Sequence, residues 1–282
     1  MNETHTYQKY IKSIGEVLIP FAIYYTVYFL ALIGLTSLVI TILQGAGENG
    51  QNLLLEQEAT VNAIIGGFAM MIGIVPLVPT FRKEICYEGY HGKLHNYAEK
   101  ADGEGSVGVK ILLTMLLAVT ASVALNILFI FFHVTESSET YVQTAEHQYS
   151  VFFPFGLFLY GIISPLAEEV VFRGIIYNRM KKHMPVMVSM ILSALLFGLY
   201  HGNSVQTLYG FCMGVLIAYT YERFGNFFYA FLFHAAANTA VYTITGNQRL
   251  YEMIIRPYAG IVLAGIVIVL LVFMKRRYLT IP

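Results

Sequence analysis

The sequence predicts an all-α protein, a polytopic bundle of about eight transmembrane helices with both termini cytoplasmic. Three observations predict it. Of the 282 residues, 57% are hydrophobic and 12% charged, where an average soluble domain is roughly a quarter charged. The apolar residues gather into eight runs, and lysine and arginine collect at alternate connections between those runs. The formal net charge of zero argues against a nucleic-acid-binding surface, so the lipid bilayer is the expected partner.

The first run, Val17 to Leu43, exceeds the roughly 7 to 15 apolar residues of a signal-peptide core and reads as an uncleaved anchor. A glycine-rich loop, Gly45 to Gly50, separates it from the second run, Val61 to Pro79. The mixed-charge stretch Phe81 to Gly108 ends in ADGEGSVG and reads as a flexible cytoplasmic connection. The expected organisation is therefore an N-terminal helix pair with its loop over residues 1–108 and a six-helix membrane core over 109–282. The core runs are Ile111 to Phe132, Val151 to Ala167, Val186 to Tyr200, Val205 to Tyr221, Phe227 to Ile244 and Tyr258 to Met274. A span needs about 20 mostly apolar residues, so the shorter runs cross only if their polar flanks are helical too. Cys86 and Cys212 form neither a CxxC site nor a disulfide framework.

Orientation follows from the cationic side chains, which stay on the cytoplasmic side. With both termini inside, that side holds Lys9, Lys12, Arg82, Lys83, Lys93, Lys100, Lys110, Arg173, Arg179, Lys181, Lys182, Arg223, Lys275, Arg276 and Arg277. Only Arg249 and Arg256 are left outside.

Against that background PLAEEVVFRG, Pro165 to Gly174, stands out. Ionisable groups inside a bilayer are costly and usually functional. The break at Pro185, after the basic residues Arg179 to His183, carries the fourth helix on to about Met180. In an antiparallel hairpin of the fourth and fifth helices, Glu168 and His201 then fall within about 4.5 Å of one depth. FHAAANTA in the seventh run places His234 and Asn238 four residues apart on one helix face. At 1.5 Å per residue these lie about 12 and 18 Å deep, and Glu168 about 18 Å, so the count predicts one shared level.

Each feature has a plainer reading beside the functional one. Glu169 and Arg173, four apart, suit an ion pair within one helix. The spacing of Gly210 and Gly214 suits close helix packing. His91 and His95 read as solvated loop residues, and His133 and His147 as markers of the outer interface. The coincidence of Glu168, His201 and His234 leaves open a zinc set of two histidines and a carboxylate, although HExxH is absent. A non-catalytic receptor, immunity protein or transporter with a buried polar cluster is the other alternative.

The motifs carry a family resemblance. EEVVFR fits E-E-x-x-x-R, FGLYH fits F-x-x-x-H through Phe197 and His201, and HAAAN fits H-x-x-x-N. In this order and spacing, over Phe153 to Tyr242, the chain resembles the CPBP family, which holds the CAAX prenyl endoproteases and bacterial homologues linked to bacteriocin processing or self-immunity. The resemblance implies an intramembrane endopeptidase without a cofactor, multi-pass in a bacterial plasma membrane. Its substrate would be a peptide or membrane protein. It also implies roles. Glu168, assisted by His201, activates a water; His234 and Asn238 stabilise the oxyanion; Glu169 and Arg173 brace the site. The scissile bond is expected in the cytoplasmic half of the bilayer.

Overall fold

The structure, a computed structural model, describes residues 3–86 and 106–278, with side chains over 13–85 and 106–278. The described residues are helical, without strands, as the apolar runs predict. His91 and His95 lie outside the described residues, as does most of the Phe81 to Gly108 connection; its ends are helical, through Cys86 and from Val107.

Helix α1 spans Glu3–Gly45 and contains Pro20. It turns through Gly47, at φ 67°, into the short α2, Glu48–Glu56. A side chain at Gly50 would strike the Leu43 carbonyl at 1.8 Å, so only glycine lets α2 fold back so tightly. The next crossing is built from α3, Glu58–Ile74, a 3-10 turn at Val75–Leu77 and α4, Val78–Cys86. Then follow α5, Val107–Phe131, and α6, Glu139–Tyr149, capped by the Ser106 and Ser138 hydroxyls respectively.

Helix α7, Phe153–Met180, is continuous and reaches the residue expected from the Pro185 break. Two stretches of it are π-helical, Leu159–Ile163 and Val170–Tyr177, and they bracket the α-helical turn Ser164–Glu169. Helix α8, Val186–Tyr200, and α9, Ser204–Phe224, form a tight hairpin. Its turn is shaped by Gly202, at φ 76°, and by Asn203, whose side chain accepts from the Gln206 N–H. After α10, Phe227–Thr245, and α11, Gln248–Ile254, the last helix is α12, Pro257–Arg277. Proline opens α12 and Lys275, Arg276 and Arg277 close it, each at the end its chemistry favours.

Among the described residues six helical segments are long and apolar enough to cross a membrane: Ser13–Gly45, Glu58–Ile85, Val107–Phe131, Phe153–Met180, Phe227–Thr245 and Pro257–Arg277. Helix α8, at 15 residues, rises only about 22 Å against a hydrocarbon core of about 30 Å. Helix α9 is long enough, but Gln206, Thr207, Glu222 and Arg223 dilute its apolar character. The two further spans expected from the sequence fall in this α8–α9 hairpin, which is not among the segments long and apolar enough to cross.

Two buried clusters meet across α7. Val17 and Tyr24 of α1, with Ile74 and Leu77, pack on Val171, Phe172 and Ile175 of α7. On the other side Leu117, Ile217, Phe233 and Met274 join α5, α9, α10 and α12. Large apolar residues such as Leu30, Phe68, Ile261 and Val269 point outward, each more than 60% exposed. In water such a surface would be a liability; around a membrane bundle it faces lipid.

Candidate active site

Helix α7 presents two adjacent glutamates to different surroundings, because consecutive residues of a helix point in different directions. Glu168 faces a cavity of about 280 Å³ between α6, α7, α9 and α10. Glu169 faces the packed interior and is wholly buried.

The cavity wall holds Glu168, His201, His234 and Asn238, so the three sequence motifs do meet in one space. Ser164, one turn before Glu168, donates its hydroxyl to Glu168 Oε1 at 2.5 Å. His234 Nε2 lies 3.7 Å from Glu168 Oε2. The Nδ1–H of His201 donates to the Phe197 carbonyl at 2.8 Å, so a neutral His201 ring keeps Nε2 as an acceptor. His201 itself is not inside a helix; it caps the C-terminus of α8 at the hairpin turn. Irregular backbone at membrane depth is tolerated where it lines a cavity, which is its situation here.

The expected common level needs correcting. Asn238 sits higher than the others, and its Nδ2 donates to the carbonyl of Tyr160 at 3.1 Å, eight residues before Glu168. Near it, a side chain at Gly161 would meet Thr239 Oγ1 at 2.6 Å, so α7 and α10 touch closely there. The count already separated Asn238 from His234 by one turn of α10; what it misplaced is Glu168, because the π turn Val170–Tyr177 between it and Met180 holds more residues per turn than the uniform α-helical rise assumed. His234 is the residue level with the glutamates, and Asn238 stands one turn further towards α6.

Below Glu168 lies a buried charge network. Oε1 of Glu169 accepts from Arg173 Nη1 at 3.0 Å and from His234 Nδ1 at 2.8 Å. Nη2 of Arg173 donates to the Gly214 carbonyl at 3.1 Å. The guanidinium also stacks 4.4 Å above Phe197, whose ring packs edge-on against both His201 and His234. The expected i,i+4 ion pair is thus present, and it is tied directly to a cavity residue. Gly210 and Gly214 do pack closely, against Gly198 and Ala194 of α8. Gly214 additionally offers its carbonyl to the arginine, which spacing could not reveal.

As to metal ligation, Glu169 occupies His234 Nδ1 and the Phe197 carbonyl occupies His201 Nδ1. Among the described residues no group of three or more His, Cys, Asp or Glu side chains converges with metal-binding geometry.

Sequence reasoning missed Ser164, the Tyr160 carbonyl and helix α6. The first had a signal, since Ser164 is four residues before Glu168. In α6 the cavity-lining residues Tyr141, Thr144, Ala145, Gln148 and Tyr149 recur at one-face helical spacing. They are too polar to register as an apolar stripe. His133 is solvent-exposed and pairs with Glu136 at 3.0 Å, consistent with an interfacial position.

Residues 150–240 match the family described as Type II CAAX prenyl endopeptidase Rce1-like, the grouping that the three motifs resemble. No curated protein and no solved structure matches the chain.

Proposed function

We propose, from the premise that residues 150–240 carry a CAAX-type endopeptidase segment, that this protein hydrolyses peptide bonds within the membrane using water activated by Glu168. The observation that carries the reading is the single cavity lined by Glu168, His201, His234 and Asn238. Ser164 fixes one oxygen of Glu168 and leaves the other directed to the cavity. Glu168 takes a proton from water as the oxygen attacks the scissile carbonyl carbon, with His201 Nε2 as a second acceptor for that water. The carbonyl π electrons move onto oxygen. Asn238 has one amide proton engaged by Tyr160 and a second free to donate to this oxyanion. His234 donates there through Nε2 when its ring is the imidazolium cation, whose other proton is held by Glu169. Collapse restores the carbonyl, breaks the C–N bond, and returns the proton from Glu168 to the leaving amine. Glu169 and Arg173 are positioning residues in this scheme, acting through His234.

The test is a comparison of Glu168→Gln with the wild type. The amide keeps the shape and can still accept from Ser164, but it cannot take a proton. Turnover should vanish while substrate remains bound, and the peptides accumulating in membranes of cells carrying the variant would identify the substrate. Full turnover by purified Glu168→Gln would sink the assignment. Metal content decides the zinc alternative. About one zinc per chain, lost from both His201→Ala and His234→Ala together with activity, would make His234 a ligand and not an oxyanion donor. A phenotype that survives Glu168→Gln unchanged would favour a receptor or immunity role.

A further inference from the structure

The cavity is one-sided. From Glu168 it continues past Tyr160 to α6. Helix α6 joins the end of α5 at Phe131 to the start of α7 at Phe153, so it caps one end of the bundle, while Met180 and Lys181 lie at the other. Thr144, on the cavity face of α6, is solvent-exposed, which makes this end a mouth.

The other end is closed. Phe172, Ile175, Ile176 and Tyr177 of α7 are fully buried below the site. Asn178 bonds the Tyr221 hydroxyl at 3.0 Å. Lys181 and Glu222 form an ion pair, and the Lys181 ammonium lies 4.5 Å above the ring of Tyr177. Arg179 and Lys182 both reach Glu84. Among the described residues this sealed end carries Arg82, Lys83, Arg179, Lys181, Lys182 and Lys275 to Arg277, whereas the stretch from Phe132 to Phe152 around α6 has no lysine or arginine and only Arg249 and Arg256 lie near the ends of α11. By the charge bias of membrane insertion, the sealed end is cytoplasmic and the mouth is not.

Polar groups stand among the apolar residues of the mouth. Tyr141, Thr144 and Gln148 of α6 face Gln206 and Tyr209 of α9 across it. An alkyl or isoprenoid chain placed there would strip hydroxyl and amide groups of water without replacing their hydrogen bonds. The amides and carbonyls of an extended peptide would replace them.

We propose that the site is loaded from the non-cytoplasmic face through the mouth framed by α6, and that its substrate is an extended peptide bearing no lipid. This deepens the hydrolase reading and rests on it. It also moves the scissile bond out of the cytoplasmic half of the bilayer, where the sequence alone had suggested it.

The side is tested with single cysteines in a Cys86→Ser, Cys212→Ser background. Thr144→Cys should react with a membrane-impermeant maleimide on intact cells. Arg276→Cys, exposed at the opposite end, should react only after permeabilisation. Gln148→Cys serves as a second mouth position should Thr144→Cys fail to fold. Labelling of the mouth cysteine only after permeabilisation, or of Arg276→Cys on intact cells, would overturn the sidedness. The substrate class is tested in purified Thr144→Cys protein that also carries Glu168→Gln. An unlipidated random decapeptide pool at ten times its dissociation constant should slow maleimide labelling about tenfold, and a farnesylated counterpart should act no better. Protection by the farnesylated peptide alone, or by neither, would overturn the assignment of the mouth. Cleavage by Glu168→Gln protein would defeat the hydrolase reading while leaving the sidedness result intact.

Discussion

The Glu169–Arg173 pair predicts a specific failure of additivity. Both side chains are wholly buried, with Nη1 and Oε1 3.0 Å apart. At an effective dielectric near 20, two unit charges at that distance attract by about 5 kcal/mol. Much of that attraction offsets the cost of taking both ions out of water. Removing one partner therefore leaves an uncompensated buried charge. Glu169→Gln strands the guanidinium without a countercharge, leaving it the neutral amide oxygen, the Gly214 carbonyl and the face of Phe197. Arg173→Met strands the carboxylate, which keeps only His234. Each single change should cost about 3 to 5 kcal/mol. The double variant Glu169→Gln/Arg173→Met removes both charges together, so it should be more stable than either single one. The measurement is reversible unfolding of the four proteins in mixed detergent micelles with increasing dodecyl sulfate. Two single costs that simply sum in the double variant, to within about 0.5 kcal/mol, would refute the pairing argument.

Three further predictions follow from particular contacts. Ser164→Ala removes the hydroxyl that holds Glu168 Oε1 at 2.5 Å; a hydrogen bond to a charged group is worth about 1.5 to 3 kcal/mol of stability, so unfolding should become easier by about that much and kcat should fall as Glu168 loses its orientation. Gly214→Ala would place a methyl group 3.0 Å from both Arg173 Nη2 and Ala194 Cβ; it should destabilise by about 1 to 3 kcal/mol, whereas Gly265→Ala, which meets nothing within 4 Å, should be neutral or stabilising. At the mouth, burial pushes the Tyr149 phenol up to about 12, against a partial lowering by Thr245. The unfolded chain releases that proton near pH 10 and the folded chain does not. This contribution to stability is therefore complete below pH 10 and falls away between pH 10 and about 12. Tyr149→Phe should flatten that part of the stability profile, as read by unfolding at several pH values.

The helices were legible because lipid demands them. Every apolar run became a helix, since unsatisfied backbone groups cannot be left in hydrocarbon. The partnership of Glu168, His201, His234 and Asn238 was legible as well, because polar side chains in apolar runs have few places to go except towards one another. The internal register of α7 was not, since nothing in LYGII or VVFRGIIY distinguishes a π turn from an α turn locally. Hence the level of Glu168 relative to His234 and Asn238 escaped a count based on uniform rise. Helix α6 escaped for a different reason. It folds along the edge of the bundle with polar residues facing a polar cavity, and such a face has no hydropathy contrast to detect.

The local character of the Glu169–Arg173 contact bears on how the protein is made. Helix α7 has the second-lowest mean hydropathy of the six candidate spanning segments, 1.5, and contains four charged residues, of which Glu168, Glu169 and Arg173 lie inside it and Arg179 at its end. Any one of the three at the centre of a translocating helix opposes insertion by roughly 2.5 to 3.5 kcal/mol on scales measured at the translocon. Two of them are four residues apart and join within the segment itself, so they can leave the ribosome and enter lipid already neutralised as a pair. Their other partners are synthesised later, Gly214 after 41 further residues and His234 after 65. The order of synthesis thus separates the pairing of Glu169 with Arg173 from the completion of its surroundings. The charge pairing of α7 is local to that helix, while the contacts around Glu169 and Arg173 stay incomplete until α9 and then α10 arrive.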